Sequence, residues 1–75
     1  MQQKPDDPAL HCQLGTIYLQ LGSPQVGEAW LLSALRLDAH YVPALQALAK
    51  LSQERGENDR AKHYHRQAQI AQNHP

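Results

Sequence analysis

The chain has 75 residues, enough for one domain only and near the size at which a single core barely outweighs chain entropy. Its mean hydropathy of −0.64, with no run near the ~20 apolar residues of a bilayer span, excludes an integral membrane protein. Seven Lys and Arg balance seven Asp and Glu, so no surplus of positive charge points to nucleic acid.

The balance is uneven along the chain. Residues 1–40 carry Lys4 and Arg36 against Asp6, Asp7, Glu28 and Asp38, whereas residues 41–75 carry five cations against three anions. The single cysteine, Cys12, excludes an internal disulfide and leaves the compartment open, with the cytoplasm as the default expectation. The segment Met1-Gln2-Gln3-Lys4 has no apolar run behind its charge, so it does not read as a secretory signal.

Residues 1–7 read as an N-terminal extension. Asp7 followed by Pro8 is an N-cap with proline at the first helical position, and Gly22 is a stop, which predicts a helix over 8–21. On it Leu10, Leu14, Ile17, Tyr18 and Leu21 follow i, i+4, i+7, i+8 and i+11, a stripe expected to bury against the next helix. Its other face holds Ala9, Cys12, Gln13, Thr16, Leu19 and Gln20, read as outward. Ser23-Pro24 repeats the start signal for a second helix over 24–38.

Pro43 lies near the start of a third helix over 42–55, with Leu45, Leu48, Ala49 and Leu51 toward the core. Gln46, Ala47, Lys50, Gln53 and Glu54 point away from it. Gly56 ends this helix. Asn58 is expected to cap the fourth, over 58–72, with Asp59 as an acid in its first turn. No alternating β-branched run competes, so the fold class is all-α.

Leu14 and Leu48, Gly22 and Gly56, and Ala34 and Ala68 are each 34 positions apart. Gly15 with Ala49, Ile17 with Leu51 and Trp30 with Tyr64 fall in the same register, small on small and large on large, and Leu10 with Ala44 sets apolar on apolar. The chain thus divides into two helix-turn-helix units, 8–41 and 42–75 with a short tail, expected to form two stacked antiparallel hairpins.

Leu14-Gly15-Thr16-Ile17-Tyr18 supplies the L-G-x2-Y core of the tetratricopeptide repeat, whose pattern is W-x2-L-G-x2-Y, then A-x3-F, then P over ~34 residues. The chain resembles that family over about residues 8–72. It departs from the pattern at His11 for Trp, at Gly27 and Leu31 for A-x3-F, and at Ala39 for Pro. The second unit keeps Leu48 and Ala61, with Ala49 for Gly, Ser52 for Tyr and His65 for Phe. The resemblance implies an α-solenoid fragment and a protein-interaction scaffold whose first and third helices line a concave face for a peptide or partner helix. Family members that clamp the acidic carboxyl end of chaperones use Lys and Asn there; Cys12, Thr16 and Ala47 occupy those positions here, so the clamp does not carry over.

The residues suggest no catalytic constellation. His63 and His65 are roughly 200° apart on a helix of ~3.6 residues per turn and cannot close on one ion, while His11, His40 and His74 lie in other segments. All five read as solvated or cap-region histidines. Cys12 has no base at i+4 and no orienting acid, as a nucleophile would need. The four glycines are dispersed and lack phosphate-loop spacing. Gly15, Ala49, Ala34, Ala61 and Ala68 read as small residues where helices approach closely, and Trp30 and Tyr64 as core or half-buried aromatics.

The expected function is therefore a non-catalytic, cofactor-free module that binds a protein or peptide. The expected face comprises Cys12, Gln13, Thr16, Leu19 and Gln20 on the first helix with Gln46, Lys50 and Gln53 on the third. Two alternatives stand beside it: self-association as a homo-oligomer, and a non-catalytic domain cut from a larger enzyme. The replacement of Leu31, Leu32 and Leu35 by His65, Arg66 and Gln69 one repeat later marks the fourth helix as the expected terminal, polar-faced end of the array.

Overall fold

The computed structural model describes residues 7–73 and forms four α-helices with no strand among them. They are α1 (Pro8–Gln20), α2 (Pro24–Leu37), α3 (Val42–Glu54) and α4 (Asn58–Asn73). Each bound lies within one residue of the expectation. Residues 1–6 of the predicted extension, and His74 in the tail, lie outside the described residues.

Local chemistry accounts for most of the ends. The Asp7 carboxylate accepts from the Ala9 N–H at 3.0 Å, capping α1, with Pro8 in the first turn where its missing N–H costs nothing. Ser23 holds the cap position of α2 but makes no side-chain capping bond. Asn58 is the first residue of α4 rather than its cap: the Ala61 N–H donates to the Glu57 carbonyl, so Glu57 precedes the helix.

Both hairpin turns close by one and the same motif. Gly22 and Gly56 have φ of 84° and 75°, the left-handed region that glycine enters without a Cβ penalty. In the first turn Gly22 N–H donates to Leu19 C=O and Ser23 N–H to Tyr18 C=O; in the second Gly56 N–H donates to Gln53 C=O and Glu57 N–H to Ser52 C=O. This is the Schellman pattern, which satisfies carbonyls orphaned at a helix end. Its recurrence at a spacing of 34 residues carries the sequence repeat down to individual hydrogen bonds.

The helices pack α1 on α2 and α3 on α4, with α2 against α3 and a lighter contact of α1 with α3. The core gathers Leu31 and Ala34 from α2, Ala44, Leu45, Leu48 and Ala49 from α3, and Tyr64 and Ala68 from α4. The predicted inner face of α3 is buried throughout, and Gln46, Lys50, Gln53 and Glu54 are exposed as expected. On α4, Ala61, Tyr64 and Ala68 are buried while His65, Arg66 and Gln69 face solvent.

The faces of α1 differ from the expectation. Leu10, Ile17 and Leu21 are 39%, 48% and 71% exposed, whereas Cys12, read as outward, is buried at 8%. The cause is the line along which α1 meets α2. The two backbones touch at Gly15 and Gly27, where a Cβ on either glycine would come within 3 Å of the opposite carbonyl oxygen. Contact along that line turns the leucine stripe aside. One repeat later, Ala44, Leu48 and Leu51 hold the positions of Leu10, Leu14 and Ile17 and are buried at 0%, 1% and 6%, because α2 of the first hairpin packs on α3.

His11 is likewise not a solvated histidine. Its Nδ1 lies 2.8 Å from the Ser33 hydroxyl, and its ring meets Trp30 edge-on at 5.2 Å. It ties α1 to α2 with a polar bond and a ring contact.

Glu28 joins the two hairpins. One carboxylate oxygen accepts from Arg55, at the C-cap of α3, at 2.9 Å, and the other from Arg60 on α4 at 3.1 Å. Arg60 also reaches the Tyr64 hydroxyl at 3.4 Å, and its guanidinium lies 5.9 Å from the centre of that ring. Those contacts, the Tyr64 hydrogen bond foremost, push the Arg60 pKa further up, so it stays charged.

Candidate functional site

Two depressions lie between α1 and α3 and adjoin at Thr16, which lines both; together they make up the groove of this helix pair. The upper part runs from Ala9, Cys12, Gln13 and Ile17 to Tyr41 and Pro43 at the start of α3. The lower part runs from Leu19 and Gln20 to Ala47, Lys50 and Glu54. Both walls are helical and so present their side chains from a rigid support.

Six of the eight predicted binding residues line this groove: Cys12, Gln13, Thr16, Leu19, Gln20 and Lys50. Gln46 and Gln53 are exposed on α3 but belong to neither depression. Leu19, read as an exposed apolar contact, is half-buried, because its side chain lies over Gly27, where a Cβ would come within 2.8 Å of it. It forms part of the wall and part of the core.

The structure adds Tyr41 and Pro43, which the sequence reading did not select. They stand at the α2–α3 connection, shaped by Asp38: its carboxylate accepts from His40 N–H at 3.1 Å and its carbonyl from Tyr41 N–H at 3.1 Å. Helical periodicity does not address a residue held by a turn. The one available signal was an aromatic residue just ahead of the proline that starts α3.

The groove is nearly uncharged. Among the described residues Lys50 and Glu54 are its only ionic side chains, both in the lower part. In the upper part, burial pushes the Cys12 thiol pKa up, against a smaller lowering by Thr16, so the thiol is protonated and a poor nucleophile at neutral pH. The Tyr41 phenol is also raised, by desolvation first and then by the charges of Cys12, Asp7 and Asp38. What the groove offers is amides and hydroxyls for backbone groups, beside apolar surface from Leu19, Ala47 and Tyr41.

Among the described residues no three His, Cys, Asp or Glu side chains come together in a group able to hold a metal ion. No helix among them is long and apolar enough to cross a membrane. The molecule is an all-α pair of helical hairpins with an open, weakly polar groove along one side. Compared with protein-family models, curated proteins and solved structures, the chain matches none.

Proposed function

We propose that this chain is a pair of tetratricopeptide-type repeats, a solenoid fragment that binds an extended peptide or a partner helix in the groove between α1 and α3. The observation that carries the reading is that the two depressions between α1 and α3 adjoin at Thr16 and are lined by neutral hydrogen-bonding side chains beside apolar surface. The repeat itself lends support. Gly15 and Gly27 meet where the first hairpin's helices are closest, and Ala49 and Ala61 hold the equivalent places in the second, as a small-residue pair per repeat requires.

With Lys50 and Glu54 as its only charges among the described residues, the groove binds with modest affinity that depends little on salt, unlike a clamp for acidic tails. The test is co-purification with residues 1–75 as bait, followed by amide chemical-shift mapping as the captured partner is titrated in. Shifts along Gln13, Thr16, Gln20 and Lys50 are expected, and Thr16→Arg weakens binding while leaving the helical spectrum intact. Shifts confined to Lys62, His63 and Arg66 on α4 overturn the proposal in favour of an electrostatic contact there.

A further inference from the structure

The leucine stripe of α1, with Leu10, Ile17 and Leu21 exposed and Leu14 half-buried, touches the groove only at Ile17, and three observations bear on what covers it. First, α1 contains no Asp, Glu, Lys or Arg, and beside its groove face it leaves Leu10, Ile17 and Leu21 exposed in one row, the kind of apolar patch that marks an interaction site. The other outer helix, α4, has a polar outer face with His65, Arg66 and Gln69 exposed. Second, this polar face disqualifies a head-to-tail copy. Such a copy would set His65 and Gln69 where Leu31 and Leu35 stand in the stack of one hairpin on the next, and would extend without closing. Third, Leu10, Leu14, Ile17 and Leu21 are spaced four, three and four residues apart. That spacing reads the same in both directions, so two such helices laid antiparallel set Leu10 against Leu21 and Leu14 against Ile17 twice over, the self-complementarity a two-fold contact needs.

We infer that α1 pairs with the α1 of a second copy of this chain, antiparallel across a two-fold axis, through Leu10, Leu14, Ile17 and Leu21. Ile17 also lines the upper groove, so the contact adjoins the proposed binding site there, while Leu10 and Leu21 line neither depression. The stripe amounts to on the order of a few hundred Å2, less than the ~800 Å2 per partner of a stable complex, so the dimer forms and dissociates with concentration. With no charge on α1, no like-charge repulsion opposes the pairing.

The experiment is sedimentation velocity on the full chain from ~10 µM to ~1 mM, the span over which a contact of this size changes occupancy. The wild type should shift from monomer toward dimer. Leu21→Lys should stay monomeric with unchanged circular dichroism, since Leu21 is solvent-exposed in the monomer. The double variant Leu10→Glu/Leu21→Lys sets opposite charges against each other only in the antiparallel arrangement, and should associate again, the more so at low salt. A wild type that remains monomeric throughout overturns the inference, as does a Leu21→Lys chain that still dimerises. Absence of rescue in the double variant overturns the antiparallel pairing.

Discussion

Gly15 and Gly27 stand so close across the first hairpin that a methyl group on Gly15 would lie 2.9 Å from the Gly27 carbonyl oxygen, and one on Gly27 2.8 Å from that of Gly15. Alanine is the better helix former by ~1 kcal/mol, so propensity and packing oppose each other at these sites. Packing wins, because the obstructing atom is backbone and cannot turn aside. Gly15→Ala is expected to destabilise by about 1–3 kcal/mol, measured by urea denaturation. A more stable Gly15→Ala chain would mean that the hairpin opens freely. In the second hairpin the positions are already Ala49 and Ala61, both buried, and Ala49→Gly should cost about 1 kcal/mol through chain entropy.

Leu48 is the most buried large side chain of α3, at 1% exposure, and Lys50, two residues along, is exposed. Leu48→Asp places an unpaired carboxylate in the core, at a cost of several kcal/mol that a small domain cannot spare. Loss of the cooperative melt is expected. Lys50→Ala should change stability by ~0.5 kcal/mol or less. A cooperative melt retained in Leu48→Asp would refute the core assignment.

Glu28 holds Arg55 and Arg60 at once, so it joins α2 to both helices of the second hairpin. All three side chains are partly exposed, which limits each ion pair to ~0.2–1 kcal/mol. Glu28→Gln is therefore expected to lower stability by about 1 kcal/mol at low ionic strength, and by less in molar salt, where screening weakens the wild-type pairs. Thermal melts of both proteins at two salt concentrations check this. A deficit independent of salt would show that Glu28 contributes packing and not charge.

The Cys12 thiol and the Tyr41 phenol both have raised pKa values, with desolvation as the leading cause. An acid whose folded pKa exceeds its unfolded value stabilises the fold fully below the unfolded value and loses that contribution as pH rises through the folded one. Stability should thus begin to fall above the ordinary thiol pKa of ~8.5 and fall further above the phenol's ~10. Melting temperatures between pH 7 and pH 10.5 test it. Cys12→Ala should flatten the first part of the decline; an identical profile in that variant would remove Cys12 as its source.

Local chemistry in the sequence determined the four helices. Asp7-Pro8, Pro24 and Pro43 mark starts, and Gly22 and Gly56 mark stops, through backbone rules that act within a few residues and need no tertiary partner. The inner face of α3 was legible for a related reason: polar Gln46, Lys50, Gln53 and Glu54 define the outside, leaving one side to bury. Of the three residues that this orientation assigned to the groove, Lys50 lines it, while Gln46 and Gln53 lie further round the helix.

The faces of α1 were decided only by tertiary structure. With no charged residue on the helix, periodicity offered two apolar sides, Leu10–Leu14–Ile17–Leu21 and Ala9–Cys12–Leu19, and nothing local to choose between them. The choice came from the meeting of two backbones at Gly15 and Gly27, a contact between residues that have no side chains for a pattern to register. Cys12 was thereby buried and Ile17 exposed. The same holds for Glu28 with Arg55 and Arg60, and for His11 with Ser33 and Trp30. Those partners lie on different helices, and only the stacking of helices brings their side chains within bonding distance.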